Sequence, residues 1–169
     1  AYVDFGAESA VPLVDTYDNL LVVGTFSKSR AMAGARLGYA VGNAQLIADL
    51  NLIKYSFNPY NLNRLTLAAG VAVLQDEAYF QECREKIIKT REWTLDAMRR
   101  LGFQCTDSLA NFIFASHESM GAETLLGELR ARGVLVRWFN QPRIRGHLRI
   151  SIGTQAQMEK MVEIIQKMN

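Results

Sequence analysis

The chain has 169 residues, of which 49% are hydrophobic and 21% charged, and its 19 basic and 17 acidic residues leave a net charge of +2. This composition is ordinary for a soluble globular protein, and the balanced charge argues against nucleic acid or an anionic membrane surface as a partner. No apolar run approaches the ~20 residues of a membrane span, and no signal-peptide pattern is present. The two cysteines and two histidines have no spacing typical of a disulfide framework or a metal site. We therefore expect a cytoplasmic protein without a bound metal.

The first predicted elements are strands. Residues 1–5 are predicted as the end of a strand, and a domain rarely begins inside its own core, so we expect an N-terminal part to be missing from the chain. The apolar run at residues 20–23 fits a strand covered on both faces, as in an α/β sheet. Residues 36–42 are predicted as a second strand, in which Gly38 and Gly42 suggest close approach of other backbone or of a ligand.

Three helices are predicted next. The first covers residues 43–51, and the second, rich in Ala and Leu, covers residues 62–74. Pro59 disfavours helix at the residue before it, so the connection between the two is predicted as a loop. The second helix is apolar on most faces, which predicts that it is buried. The third is long and amphipathic, from residue 77 to residue 101, and Gly102 is expected to end it.

The remaining sequence is typical of a small α/β lobe. Strands are predicted at residues 111–115, 134–138 and 147–152, and a helix at residues 121–132. In the last strand Leu and Ile alternate with polar residues, so Arg149 is expected to point away from the core. Thr154 and Gln157 have the spacing of a capping box for a C-terminal helix. Together the elements predict an α/β fold with two domains, residues 1–75 and 76–169.

Lys28 is the first candidate for chemistry, because it follows a buried strand and lies in a loop among hydroxyl-bearing and small residues. A lysine that forms a Schiff base needs a lowered pKa, which nearby cations and partial burial provide. Arg30 and Arg36 are close in sequence and could be those cations. The alternative is an exposed lysine with no such role, which is the common case.

A second candidate is a phosphate site made of Thr25, Ser27 and Arg36, since two hydroxyls and a guanidinium can hold a phosphate with charge-assisted hydrogen bonds. Turn-forming hydroxyls beside a surface arginine are an equally good interpretation. Arg149 is a third candidate, because its fork of donors suits a carboxylate or a phosphate, and Arg137 is placed similarly on the preceding strand. An ordinary exposed strand arginine is the alternative for both.

Four short motifs occur in order along the chain. They are Ala-Tyr at residues 1–2, Thr-Phe-Ser-Lys-Ser at 25–29, Ala-Gly-Ala-Arg-Leu-Gly-Tyr at 33–39 and Leu-Arg-Ile-Ser-Ile-Gly at 148–153. These segments resemble motifs of the fold-type-I aminotransferases that depend on pyridoxal phosphate, and of the histidinol-phosphate aminotransferases in particular. The likeness covers essentially the whole chain, and the combination of Lys28, Arg36 and Arg149 is specific.

The resemblance implies a role for each candidate. Lys28 would bind the cofactor, pyridoxal 5′-phosphate, as a Schiff base and would act as the base that moves a proton during the reaction. Tyr2 would hydrogen-bond the phenolic oxygen of the cofactor. Arg149 would bind the acidic end of each substrate, with Arg137 as a weaker second contact. The phosphate of the cofactor would be bound by three side chains, Thr25, Ser27 and Arg36.

The resemblance also implies a reaction and a domain arrangement. Residues 1–75 would close the large cofactor domain of a fold-type-I enzyme, and residues 76–169 would form its small C-terminal domain. The implied reaction transfers the amino group of L-histidinol phosphate to 2-oxoglutarate in histidine biosynthesis. The partners implied are these small molecules and a second subunit of a cytoplasmic homodimer, without membrane or nucleic acid.

Two family features have no match within the chain. They are the aspartate that pairs with the pyridine nitrogen and the glycine-rich phosphate loop. The fragment is therefore expected to be incomplete and inactive alone. The alternatives are a related aromatic amino-acid aminotransferase, a threonine-phosphate decarboxylase, or a truncated module without catalysis.

Overall fold

Residues 1–168 are described by a computed structural model, and they form a mixed α/β chain with six strands and five α-helices. The predicted α/β class is therefore confirmed. The chain divides into two units between Glu82 and Cys83. The predicted domain boundary at residue 75 stays a prediction, and the observed division lies inside a continuous helix. None of the described helices is long and apolar enough to cross a membrane.

The first unit contains an antiparallel pair of strands, β1 (Leu21–Thr25) and β2 (Gly38–Gly42). Thr25 lies opposite Gly38 at one end of the pair. A Cβ atom at Gly38 would lie 2.9 Å from the carbonyl oxygen of Gly24. The close approach of backbone that was predicted at Gly38 is thus confirmed, and it lies beside the end of β1.

The N-terminal segment is not the end of a strand, so that prediction is wrong. Val3–Phe5 forms a 3-10 turn, and a second 3-10 helix follows at Val11–Asp15. Gly6 ends the first turn with a φ of 117°, a left-handed conformation that glycine adopts without steric cost. Five residues are too few for periodicity to separate a strand from a turn.

Two helices follow β2, namely α1 (Ala44–Phe57) and α2 (Arg64–Gln75). The Asn43 side chain caps α1 by accepting hydrogen bonds from two backbone N–H groups, and the Asn63 side chain caps α2 in the same way with one. α1 continues to Phe57, well beyond the predicted end at residue 51. Pro59 restricts only the residue before it, and the helix ends there, at Asn58.

The prediction that α2 is buried is also wrong for this chain. Only Thr66 and Gly70 of α2 are buried, and no residue of α1, all of which is described, is buried. The exposed large apolar side chains of this region are Leu50, Leu52, Ile53, Tyr55, Phe57, Tyr60, Leu65, Leu67, Val71 and Leu74. Apolar composition predicts burial only where another element covers the helix, and a surface of this kind is typical of an interface.

The second unit is a four-stranded antiparallel sheet with helices on one face. The strands lie in the order β3-β4-β6-β5, with the bounds β3 Gln104–Cys105, β4 Phe112–Ser116, β5 Arg137–Trp138 and β6 His147–Ser151. The helices are α3 (Glu77–Arg100), which begins in the first unit, α4 (Ala122–Ala131) and α5 (Gln155–Gln166). β3 was not predicted, and β5 is shorter than the predicted strand at residues 134–138. Short edge strands carry too few residues for a period-2 pattern.

The core of the second unit lies between one face of this sheet and the three helices. Alternation in β6 buries Leu148 and Ile150 and leaves Arg149 on the opposite face, as predicted. α5 begins with the predicted capping box of Thr154 and Gln157. The most deeply buried core residues are Met98, Ile113, Ala115, Leu125, Leu129, Leu148, Ile150 and Ile165.

His117 connects the end of α3 to the start of α4. Its Nε2–H donates to the carbonyl oxygen of Leu101 at 3.2 Å, and its Nδ1 accepts from the backbone N–H groups of Ser119 and Met120, both at 3.3 Å. The ring also packs against Phe103, with centroids 4.8 Å apart. A single side chain therefore satisfies backbone groups at two helix ends.

We expect His117→Phe to lower the free energy of unfolding of this unit by about 1–3 kcal/mol, because the ring is kept while backbone donors and an acceptor lose their partner. Urea unfolding monitored by circular dichroism measures the difference. Glu118→Gln is the control, since it changes an exposed neighbour and is expected to stay within about 0.5 kcal/mol of the wild type. Equal effects of the two substitutions would show that the His117 hydrogen bonds do not stabilise the unit.

Candidate functional site

Lys28 lies in the connection between β1 and β2, which we call the lysine loop (residues 26–37). Two backbone hydrogen bonds close the loop, from Phe26 N–H to the Leu37 oxygen at 3.1 Å and from Met32 N–H to the Phe26 oxygen at 3.0 Å. The Lys28 side chain is exposed, and its Nζ lies 5.8 Å from the centroid of the Tyr2 ring. No acidic residue among residues 1–168 forms a salt bridge with it. The structure thus brings together the amine and the phenol that were expected to meet the cofactor.

The two hydroxyls expected to bind phosphate are also brought together. Thr25 Oγ1 donates to Ser27 Oγ at 3.0 Å, and the Ser27 N–H donates to Thr25 Oγ1 at 3.1 Å. The same Thr25 hydroxyl lies 3.4 Å from the Leu37 carbonyl oxygen, at the far end of the lysine loop. Both hydroxyls are partly buried, and they lie beside the start of β2.

Arg36 lies near the end of the lysine loop, two residues before β2, and directs its guanidinium away from Thr25 and Ser27. Its Nη1 donates to the Ala33 carbonyl oxygen at 2.9 Å, and within the described chain no hydrogen bond joins it to Thr25 or Ser27. The backbone of Arg36 is left-handed, with a φ of 55°, and Ala31 in the same loop has the same φ. A residue with a Cβ atom bears strain in this conformation, and such strain is concentrated at functional sites.

The residues after Lys28 fix the loop through contacts that the sequence did not predict. The Ser29 hydroxyl donates to the Asp4 carboxylate. Arg30 donates to the Val73 carbonyl oxygen at 3.0 Å and pairs with Glu77 at 3.1 Å, and its guanidinium carbon lies 3.4 Å from the Phe80 ring centroid. Arg30 could also be a cation beside Lys28, which stays a prediction, and its observed contacts anchor the lysine loop to α2 and α3. Its partners are 43 and 47 residues away, so no local pattern identifies them.

The second candidate region is the surface of the four-stranded sheet opposite its core, which we call the arginine face. Arg137 of β5 lies directly opposite Arg149 of β6. The Arg149 guanidinium carbon lies 5.5 Å from the Phe112 ring centroid and 5.7 Å from the Phe139 ring centroid. Arg137 lies 5.4 Å from the same Phe139 ring. The two predicted arginines are therefore neighbours, joined by a ring that sequence reasoning did not identify.

The arginine face carries positive charge without a neutralising carboxylate. Neither Arg137 nor Arg149 forms a salt bridge with any of residues 1–168, and the Nε of Arg149 is buried without a hydrogen-bond partner there. Like charges directly opposite each other destabilise a sheet, and a buried donor without a partner costs about 1–3 kcal/mol. An anion bound at this face would relieve the first of these costs.

The backbone around Phe112 is held by residues outside the arginine face. Arg91 of α3 is 3% exposed and donates to the Ala110 carbonyl oxygen at 3.0 Å. Burial lowers the pKa of the Arg91 guanidinium, and the Glu92 carboxylate offsets part of this effect. Ile152 N–H donates to the Asn111 carbonyl oxygen at 2.9 Å. Two consecutive carbonyl oxygens just before Phe112, those of Ala110 and Asn111, are therefore held by hydrogen bonds.

The donor groups in and beside the lysine loop fit a phosphorylated aldehyde better than a metal. They comprise an amine, a phenol, two hydroxyls and a guanidinium, whereas Asp4, the carboxylate nearby, is bound to Ser29. Across residues 1–168, no three His, Cys, Asp or Glu side chains form a group that could hold a metal ion. The residues expected to hold pyridoxal phosphate are therefore chemically suited to it.

Comparison with known proteins agrees with these features. The sequence profile of the family described as "Aminotransferase class I and II" matches residues 1–165. The chain is 51% identical over 166 residues to the histidinol-phosphate aminotransferase of Chromohalobacter salexigens, covering 98% of this chain and 47% of the relative. It is 48% identical over 167 residues to that of Clostridium botulinum, covering 99% of this chain and 47% of the relative. The chain thus spans about half the length of the curated relatives it matches.

A solved structure shows the same fold. The histidinol-phosphate aminotransferase of Sinorhizobium meliloti, crystallised in complex with pyridoxal-5′-phosphate, superposes with a TM-score of 0.84 at 23% identity, covering 100% of this chain and 48% of that one. This likeness supports the predicted fold-type-I architecture. Because the family profile covers nearly all of the sequence, the chain belongs to the class I and II aminotransferases.

Proposed function

We propose that this chain is the C-terminal half of an enzyme that transfers the amino group of L-histidinol phosphate to 2-oxoglutarate with pyridoxal phosphate as cofactor. The observation that carries the proposal is that, among residues 1–168, neither the guanidinium groups of Arg137 and Arg149 nor the amine of Lys28 is paired with a carboxylate. The relatives that share about half of their aligned residues with this chain are named histidinol-phosphate aminotransferases, which supports histidinol phosphate as the substrate. The two guanidinium groups suit an anionic substrate, and the Lys28 amine suits Schiff-base chemistry.

In and beside the lysine loop, we assign the cofactor-binding roles to the residues that the sequence indicated. Pyridoxal phosphate, when bound, supplies an aldehyde that accepts the amino group and a ring that delocalises electrons from the substrate carbon. Lys28 Nζ would hold the cofactor and then move a proton at the substrate carbon. Tyr2 would donate a hydrogen bond to the cofactor's phenolic oxygen. The hydroxyls of Thr25 and Ser27 would bind its phosphate, together with Arg36.

On the arginine face, we assign Arg149 and Arg137 to the anionic end of the substrate. Arg presents its donors in a planar fork that matches carboxylate and phosphate oxygens. One carboxylate carries a single charge, whereas a phosphate monoester carries close to two at neutral pH. Two guanidinium groups without carboxylate partners in the described part of the chain therefore favour the phosphate of histidinol phosphate. Arg149 would also bind the carboxylate of 2-oxoglutarate.

We also propose that the enzyme is a cytoplasmic homodimer. The uncovered apolar side chains of α1 and α2 support association with a second subunit. The free thiols of Cys83 and Cys105 suit a reducing compartment. Sedimentation of the complete enzyme measures its oligomeric state.

A substrate comparison with the complete enzyme tests the proposed reaction. We expect glutamate to form from 2-oxoglutarate with histidinol phosphate as donor, and much more slowly with phenylalanine. Release of carbon dioxide from threonine phosphate, measured in parallel, would assign the chain to a decarboxylase instead. Efficient transfer from phenylalanine alone would assign it to an aromatic aminotransferase.

We expect Arg36→Ala to weaken binding of pyridoxal phosphate about tenfold or more, because a charge-assisted contact is worth about 1.5–3 kcal/mol. Fluorescence titration of the complete enzyme with the cofactor measures the dissociation constant without any turnover. Arg64→Ala is the matched control, since it removes an exposed arginine from the same unit. An unchanged dissociation constant for Arg36→Ala would make Arg36 a structural residue of the lysine loop.

A further inference from the structure

We propose that Phe139 and Phe112 are positioning residues that hold the Arg149 guanidinium in place for an anionic ligand. The inference rests on the proposed function, because it concerns the arginine assigned there to the substrate. It gives a role to two residues to which neither the sequence motifs nor the proposed chemistry assigned one. Neither phenylalanine would touch the cofactor or the reacting atoms.

The first support is the position of the two rings. The Arg149 guanidinium carbon lies at nearly the same distance from both ring centroids, 5.5 Å for Phe112 and 5.7 Å for Phe139. Both distances fall within the range of about 6 Å in which a ring attracts a cation. Phe139 is also 5.4 Å from the Arg137 guanidinium carbon, so a single ring contacts both arginines. Phe139 therefore reduces the cost of placing two like charges opposite each other.

The second support is that the rings leave N–H donors of the Arg149 guanidinium available for a ligand. A carboxylate that paired with Arg149 would occupy its N–H donors and would compete with an anionic ligand. A ring attracts the cation through its π face and accepts no conventional hydrogen bond, so the donors of the guanidinium stay available. Among residues 1–168 the Arg149 side chain donates no hydrogen bond, and its Nε is the donor that is buried, so the Nη groups are the donors that stay available. The guanidinium is thus fixed before a ligand arrives, which lowers the entropic cost of binding.

The third support is that the backbone of each phenylalanine is itself anchored. The Ser108 hydroxyl donates to the Phe112 carbonyl oxygen at 2.5 Å. The Gln141 N–H donates to the Phe139 carbonyl oxygen at 2.8 Å. Next to Phe139, the indole N–H of Trp138 donates to the Arg145 carbonyl oxygen at 2.7 Å. Both rings therefore project from backbone that is held by hydrogen bonds.

The test uses the whole chain and inorganic phosphate, and it needs no cofactor. The Nε–Hε resonance of Arg149 is followed by nuclear magnetic resonance and is assigned by its loss in Arg149→Lys. In the wild type we expect this resonance to be displaced by the ring currents of the two phenylalanines and to shift further on titration with phosphate. In Phe139→Leu we expect the displacement to shrink and phosphate affinity to fall about two- to thirtyfold, the range of cation–π contributions.

Two further variants separate positioning from stability. Phe139→Tyr keeps an aromatic face and is expected to restore affinity to within about twofold of the wild type. Phe57→Leu is the control, because it makes the same change at an exposed phenylalanine of the first unit. We expect it to leave both the Arg149 resonance and the phosphate affinity unchanged. If Phe139→Leu fails to fold, Phe112→Leu replaces it, with the same expected loss.

The proposal is overturned if Phe139→Leu binds phosphate as tightly as the wild type, or if phosphate does not move the Arg149 resonance of the wild type. An equal loss of affinity in Phe57→Leu would also overturn it, because the effect would then not depend on a ring beside Arg149. Failure of the proposed function has a different result. In that case the complete enzyme would not transfer the amino group of histidinol phosphate, while the dependence of phosphate binding on Phe139 would remain.

Discussion

Lys28→Ala in the complete enzyme is expected to reduce the rate of amino-group transfer by at least about 10²–10⁴-fold, the contribution of a positioned acid–base residue. It is also expected to abolish covalent labelling, because the alanine has no amine with which to hold the cofactor. Borohydride reduction of the wild type with pyridoxal phosphate, followed by peptide mapping, should place the pyridoxyl group on Lys28. The mapping detects attachment directly and does not depend on turnover.

Lys54→Ala is the matched control for Lys28, since Lys54 belongs to the same unit and is also exposed. We expect it to keep both the label and the rate. A pyridoxyl group on any other lysine of the wild type would refute the assignment of Lys28. The Lys28 side chain is exposed, and its Nζ lies 5.8 Å from the Tyr2 ring centroid, so the amine is accessible to an aldehyde.

Arg149→Lys is expected to raise the KM for both the amino donor and 2-oxoglutarate by about ten- to a hundredfold, since a charged hydrogen bond is worth about 1.5–3 kcal/mol. Lysine keeps the charge but loses the planar fork that binds two oxygens at once. Both substrates should be affected, because each presents an anionic group to the same arginine in turn. A pair of half-reaction titrations with the complete enzyme measures the two effects separately.

Arg145→Lys controls for the change from arginine to lysine, because Arg145 is exposed in the loop that joins β5 to β6. We expect it to leave both KM values within about twofold of the wild type. Cofactor affinity and thermal stability should change little in Arg149→Lys, since the side chain lies opposite the core. A loss of stability with both KM values unchanged would show that Arg149 is an ordinary strand residue.

Sequence patterns predicted the elements whose signals are local. The capping box of Thr154 and Gln157 and the left-handed Gly102 at the end of α3 depend on a few neighbouring residues. The alternation around Arg149 in β6 is equally local. The errors occur where distant or uncovered parts of the chain decide the structure, as in the exposed α2 and in the two-residue strands β3 and β5, whose few residues carry no period.

The same distinction applies to the candidate site. Lys28 and Arg149 were identified because they lie in short motifs that resemble those of a known family. Arg30 and Phe139 were not assigned their observed contacts, because these depend on which distant side chains the fold places beside them. The roles of the motif residues stay predictions until the experiments above are done. The contacts around Arg30 and Phe139 show which neighbours hold those motifs in place.

The two left-handed residues of the lysine loop illustrate a trade between stability and activity. Ala31 and Arg36 share a φ of 55°, and each bears a steric cost of about 1–2 kcal/mol that glycine would not. Glycine at Ala31 would remove that cost and take away only a methyl group. Glycine at Arg36 would remove the same cost together with the guanidinium that we assign to the cofactor phosphate. An engineer who seeks a more heat-resistant enzyme can therefore change Ala31 first, whereas Arg36 is a position where thermostability would be gained at the expense of catalysis.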